Sequence, residues 1–225
     1  MNRATLLLYC YRCHAPMQPD AQNCDYCGAF RPRSKQENRN EPRKILLADQ
    51  FQNRSLSRWT KNLGQWDTRD QKLIGRGGTH YYGLTHSYSF DSRKEYTFRI
   101  QGQSRGATGC FGFVSPGLDY GIFLYFHGDG HFDKHMECRF WRGGDTYDFI
   151  TPRHEVNMSF SGEHRYAFGV RQGSIRVTVD NRYIETIDAS QLMTGRYLFS
   201  LSNYNPPGTQ RVAEHTYSKF QVTVP

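Results

Sequence analysis

Arg165-Tyr-Ala-Phe-Gly-Val-Arg-Gln-Gly-Ser-Ile-Arg-Val-Thr-Val-Asp-Asn-Arg-Tyr183 is the stretch that decides the fold. Tyr166, Phe168 and Val170 alternate with polar or small residues, and Ile175, Val177 and Val179 alternate with Arg176, Thr178 and Asp180. A period of two is the signature of strands with one face in a core, since successive side chains leave opposite sides of an extended chain. Asp180-Asn181 reads as a turn, because both residues tolerate the left-handed backbone that tight hairpins require. The same pattern recurs outward from this stretch. Tyr96, Phe98 and Ile100 alternate with Thr97, Arg99 and Gln101, and Phe220, Val222 and Val224 close the chain. Turn clusters separate the runs: Gly75-Arg-Gly77-Gly78, Gly128-Asp-Gly130, Arg142-Gly143-Gly144-Asp145 and Asn203-Tyr-Asn-Pro-Pro-Gly208. Only Asp188–Met193 suggests a short helical turn. Many short strands about ten residues apart imply an antiparallel sandwich rather than a parallel sheet.

Composition agrees with that class. Tyr and Phe number fifteen each in 225 residues, and broad rings favour pleated surfaces. A mean hydropathy of −0.76 excludes a membrane bundle, and no apolar run approaches the roughly twenty residues of a membrane span. The opening Ala4-Thr5-Leu6-Leu7-Leu8-Tyr9 is too short for a signal-peptide core, so a cytoplasmic protein is the simplest expectation.

Cys10, Cys13, Cys24 and Cys27 form two Cys-x-x-Cys pairs with ten residues between them. A tight turn brings both sulfurs of a pair to one side, and two pairs supply the four soft ligands that suit one tetrahedral Zn²⁺. The stretch resembles short bacterial and archaeal zinc ribbons, with Gly28 after the second knuckle but His14 after the first. Four thiolates close the coordination sphere, so this Zn²⁺ is expected to be structural, and binding it would supply folding free energy to about thirty residues. Cys110 and Cys138 are expected as buried, reduced thiols.

Residues 31–44 carry six basic and two acidic groups and no apolar period, half of the chain's net charge of +8. This reads as a flexible basic linker, with a weak anionic partner as one use of its charge. The expected organisation is therefore a zinc ribbon over 1–30, the linker over 31–44 and a β-domain over 45–225.

The order of the strands points to a family. Ser55-Leu-Ser-Arg-Trp59, then Gly64-Gln-Trp66 and Lys72-Leu-Ile-Gly75, resemble the opening of concanavalin A-like jelly rolls, in particular the 3-keto-disaccharide hydrolase and laminin-G-like branch. Gly112-Phe113, Tyr120-Gly121, Phe126-His-Gly-Asp-Gly130, Arg171–Tyr183, Gly195–Ser200 and Tyr217–Val222 continue the resemblance over 45–225. It implies an all-β fold: an antiparallel two-sheet jelly-roll (concanavalin A-like) sandwich with a small N-terminal zinc ribbon.

In Gly121-Ile-Phe-Leu-Tyr-Phe-His127, one side offers Ile122, Leu124 and Phe126 to the core and the other offers Phe123, Tyr125 and His127. Glu137-Cys-Arg-Phe-Trp141 places Arg139 and Trp141 opposite Cys138 and Phe140 in the same way. Phe123, Tyr125, His127, Arg139 and Trp141 are the candidate ligand-binding residues of a concave face, because sugar rings pack on aromatics while their hydroxyls take polar partners. The opposing reading is that something covers this face and makes it core. No Glu-x-Asp-x-x-Glu strand of the related glycanases appears. Asp133 and Glu137 are expected at a solvated edge or in a surface ion pair, and the Gly128 and Gly130 breaks argue against His127, His131 and His135 forming a metal site. The leading expectation is a non-enzymatic glycan- or protein-binding module. The alternatives are a hydrolase acting on a sugar derivative, and an oligomerising structural or assembly protein with the ribbon as adaptor.

Overall fold

The computed structural model describes residues 8–9, 16–17, 43–52, 56–76, 83–105, 108–127, 134–143, 147–190, 192–202 and 214–225. Two compact units divide the chain, Met1–Pro42 and Arg43–Pro225. In the first, β1 (Leu8–Tyr9) pairs antiparallel with β2 (Pro16–Met17). The four N-terminal cysteines and the segment 18–42 lie outside the described residues, and the zinc site with them.

The second unit is all β. Its strands are β3 (Lys44–Asp49), β4 (Trp59–Lys61), β5 (Gln65–Arg69), β6 (Lys72–Arg76), β7 (Leu84–His86), β8 (Phe90–Asp91), β9 (Tyr96–Arg105) and β10 (Thr108–Val114). They continue with β11 (Gly121–His127), β12 (His135–Trp141), β13 (Tyr147–Glu155), β14 (Gly162–Arg171), β15 (Ser174–Val179), β16 (Arg182–Asp188), β17 (Arg196–Leu201) and β18 (Glu214–Val224). A front sheet runs β13-β12-β11-β10-β17-β7-β4, with β8 also on β17; a back sheet runs β16-β15-β14-β9-β18-β6-β5, with β3 also on β18. All pairs are antiparallel, and the crossovers β10–β17, β9–β14 and β9–β18 give the two-sheet jelly-roll sandwich that the alternation predicts.

The back sheet follows the period of two closely. Tyr96, Phe98 and Ile100 on β9 are buried while Thr97, Arg99 and Gln101 are half-buried, and Tyr166, Phe168, Val170, Ile175, Val177 and Val179 all enter the core. Rings dominate that core: Phe199 stacks between Phe98 at 5.1 Å and Phe220 at 5.3 Å, and Phe111 lies 4.7 Å from Tyr166. Among the described residues, three hairpins turn on two left-handed residues each: Asp70-Gln71, Gln172-Gly173 and Asp180-Asn181. Paired positive φ angles mark the turn whose twist matches the flanking strands. The helical turn expected near Asp188 is a single turn, in which the Met193 N–H donates to the Ala189 carbonyl at 2.8 Å and Asp188 Oδ1 accepts from the Ser190 N–H.

The front sheet behaves differently: every residue of β10 and β11 is buried. A second apolar layer of Cys110, Val114, Phe123, Tyr125 and Trp141 covers its outer side, apart from the main core. Bare backbone makes room for one of these rings. Phe123 pairs in register with Gly112, and a Cβ built on Gly112 would meet the ring at 2.5 Å. Trp66 over Gly75 repeats the device in the back sheet, at 2.6 Å.

Candidate functional site

The ladders of β10 to β13 bring the outward residues of the front sheet into rows, because residues directly opposite share a face. One row is Thr108–His127–His135–Glu155. The next holds Cys110–Tyr125–Glu137, with Arg153 brought beside Glu137, and the third holds Gly112–Phe123–Arg139. Trp141 stands opposite Gly121 in the fourth.

Glu137 is the centre of this arrangement. Its side chain is 1% exposed, and three cations or donors converge on it. Arg139 Nη2 donates to Oε1 at 2.5 Å, His127 Nε2 lies 3.4 Å from Oε1, and Arg153 Nε lies 3.5 Å from Oε2. Burial works to raise the Glu137 carboxyl, but the His127 hydrogen bond and the charges of Arg139, His127 and Arg153 outweigh it and hold it below the usual carboxylate range. The group is thus an anion in the interior of the face. His127 Nδ1 stands 3.2 Å from Thr108 Oγ1, which fixes the plane of the ring. The Arg139 guanidinium lies 5.0 Å over the Tyr125 ring, and Tyr125 stacks beside His127.

Several sequence expectations change here. Phe123, Tyr125, His127, Arg139 and Trp141 do share one face opposite Ile122, Leu124, Phe126 and Phe140, but that face is not an open groove. Phe123 is 0% exposed, Tyr125 1% and Trp141 4%, so solvent is excluded from the rings. Glu137 is not at a solvated edge or in a surface ion pair; the period of two that buries Cys138 on one side sets Glu137 beneath Arg139 on the other. His127 and His135, separated in sequence by the glycines, stand directly opposite in the β11–β12 ladder. His131 lies outside the described residues, and among those described no group of three His, Cys, Asp or Glu side chains is placed to hold a metal. Arg153 and Glu155 were not singled out from sequence. Glu137-Cys-Arg139, a carboxylate and a guanidinium two residues apart and so on one face, marks the polar face but not the strand that supplies Arg153 and Glu155. Cys110 and Cys138 are free and buried, and burial pushes both thiols up, Cys110 in the outer layer and Cys138 in the core.

The chain matches no protein-family model and no curated protein sequence. Solved structures resemble it in fold. Beta-agarase B from Zobellia galactanivorans superimposes with a TM-score of 0.61 at 9% identity, over 81% of this chain and 94% of that one. The endo-beta-1,3-glucanase from Pyrococcus furiosus gives 0.58 at 12% identity, over 81% and 94%. A carbohydrate-binding module from Bacillus subtilis gives 0.54 at 10%, over 74% and 95%. These likenesses establish the concanavalin-like jelly-roll fold. They also correct the leading expectation of a non-enzymatic binding module: structures named as glucanase, laminarinase and agarase stand among these neighbours beside that binding module.

Proposed function

We propose that the chain is a hydrolase acting on a sugar derivative, with Glu137 and Glu155 as its paired carboxylates. The observation that carries this is their common face: Glu155 stands opposite His135, two residues from Glu137 along β12. Diagonal neighbours on such a face lie about 7–8 Å apart. Two glutamate side chains rising from such positions can set their carboxyl groups roughly 6.5–9.5 Å apart, the range at which one protonates a leaving oxygen while the other activates a water on the far side of the ring. Glu137, held ionised, suits the base, which leaves the acid role to Glu155 at the exposed rim. His127, fixed between Thr108 and Glu137, positions the base. Arg153, 35% exposed, covers Glu137 Oε2, so a substrate reaches the carboxylate by displacing it.

The fold neighbours named as agarase and glucanase support a glycan as substrate. The pattern of Trp59, Trp66 and Leu73-Ile74-Gly75 supports the 3-keto-disaccharide hydrolase branch within that class. The two cysteine pairs support a closed structural zinc ribbon beside it, since four thiolates leave no position for a reacting water.

The experiment is turnover by the full chain on a panel of laminarin, agarose and 3-keto-disaccharides, with the product anomer followed by NMR. Inversion is expected, and Glu155→Gln, at an exposed position, should lower kcat by about 10²–10⁴ without unfolding the protein. Unchanged turnover in that variant, or no turnover on the panel, would leave Glu137 as a structural counter-ion and overturn the reading.

A further inference from the structure

The opposite side of the molecule carries a second polar surface. On the outer face of the back sheet, Lys219 pairs with Gln101, Gln221 with Arg99, and Thr223 with Thr97. Arg43 Nη1 donates to Thr97 Oγ1 at 3.0 Å, and Arg99 Nη1 donates to Thr223 Oγ1 at 3.0 Å. Two guanidiniums are thereby drawn onto one pair of facing threonines. Burial and the neighbouring Arg43 both push Arg99 below its ordinary value, the mark of a cation held where it repels another. No carboxylate pairs with Arg99, Lys72 or Lys219 among the described residues.

The row of Gln101 and Lys219 also lines an open groove of about 290 Å³. Four glutamine amides, Lys72, Lys219 and Asp70 are among its walls. Amides donate and accept at once, which suits hydroxyl groups, and the ammonium groups suit oxyanions. At about 3.3 Å per residue, Gln101 and Thr97 are about 13 Å apart along β9, so the cations are spread over an extended surface rather than gathered on one ion. In sequence, Arg43 and Lys44 are the last two residues of the basic stretch 31–44.

We propose that this face of the back sheet binds an acidic polysaccharide, its hydroxyls in the glutamine groove and its sulfate or carboxylate groups along Lys219, Arg99 and Arg43. Charge complementarity selects an anionic partner, and the groove selects a polyhydroxylated one. A nucleic acid fits less well: Asp70 sits in the groove, and the exposed ring on this face, Tyr183, is already stacked on Arg176 at 5.3 Å, whereas single-stranded nucleic acid needs aromatic platforms. The site is separate from Glu137 and does not rest on the hydrolase reading.

The test is affinity electrophoresis of the full chain through gels holding dextran sulfate, polygalacturonate, neutral dextran or a thymidine oligonucleotide. Retention by dextran sulfate or polygalacturonate, but not by neutral dextran, is expected, and comparison of the two arms names the oxyanion. Arg99→Gln with Lys219→Gln should weaken that retention by on the order of tenfold. Arg58→Gln with Lys94→Gln, which removes the same charge elsewhere, should leave it unchanged, as should Glu137→Gln. Should the Arg99 variant fail to fold, Lys72→Gln, at an exposed groove position, decides by a severalfold loss. Equal retention by neutral dextran, tighter binding of the oligonucleotide, no retention at all, or the same loss from both charge-removing pairs would each overturn the proposal.

Discussion

Replacing Glu137 by glutamine keeps the shape of the side chain and removes its charge, leaving Arg139 and Arg153 facing each other across a neutral amide. Breaking a fully buried ion pair from one side costs about 3–5 kcal/mol. Here the carboxylate is 1% exposed, but its partners are 19% and 35% exposed and keep some water. Solvent screening of those cations reduces the expected cost to about 2–3 kcal/mol. The pH dependence supplies a second, independent readout. Because the folded-state Glu137 carboxyl is held below its unfolded value, its contribution is present above about pH 4.3, the ordinary glutamate value, and is lost as pH falls through the lower folded value. Urea titrations at pH 7 and at a series of values below 4.3 should therefore show wild type losing its advantage over Glu137→Gln as the acid limb is descended. A variant as stable as wild type at pH 7, or a difference that persists unchanged to the lowest pH, would refute the account of Glu137 as an ionised, cation-held group.

Two further outcomes follow from the same structure. Trp141→Ala, at 4% exposure in the outer layer of the front sheet, should cost about 3–5 kcal/mol, and a melting temperature within a degree or two of wild type would show that the ring is not packed. Metal analysis of protein purified without chelators should return about one Zn²⁺ per chain, lost on Cys10→Ser with Cys24→Ser, and zinc-free native protein would remove the ribbon reading.

The back sheet was legible because its two faces differ. Thr97, Arg99 and Gln101 between Tyr96, Phe98 and Ile100 state which way each side chain points, and Asp180-Asn181 announces its hairpin in residues that accept positive φ. Asp70-Gln71 makes the same turn without announcing it, since glutamine rarely adopts φ near 59°. The front sheet was legible only in part. In Ile122-Phe-Leu-Tyr-Phe126 both alternating sets are apolar, so the sequence separates the faces but cannot say that both are buried. The Glu137 cluster was hidden for a different reason. Arg153 comes from another strand, sixteen residues on, and no local pattern shows that the β12–β13 ladder will bring it alongside. The carboxylate pair with Glu155 depends on the same long-range alignment.

Two other ladders, β10–β11 and β5–β6, are protected by rings set over glycine. Shifting β10 against β11 by two residues would preserve inside and outside, so hydrophobic patterning alone would not forbid it. Phe123 would then stand over Cys110 or Val114 instead of Gly112, and its ring would collide with a side chain where the native ladder offers bare backbone. Trp66 over Gly75 imposes that demand on β5 and β6 in one direction only, against Leu73, because Gly77 lies two residues the other way. The front sheet thus carries a peg that fits a single hole, and a chain searching among near-equivalent alignments of β10 and β11 can close that ladder only in the one that seats it.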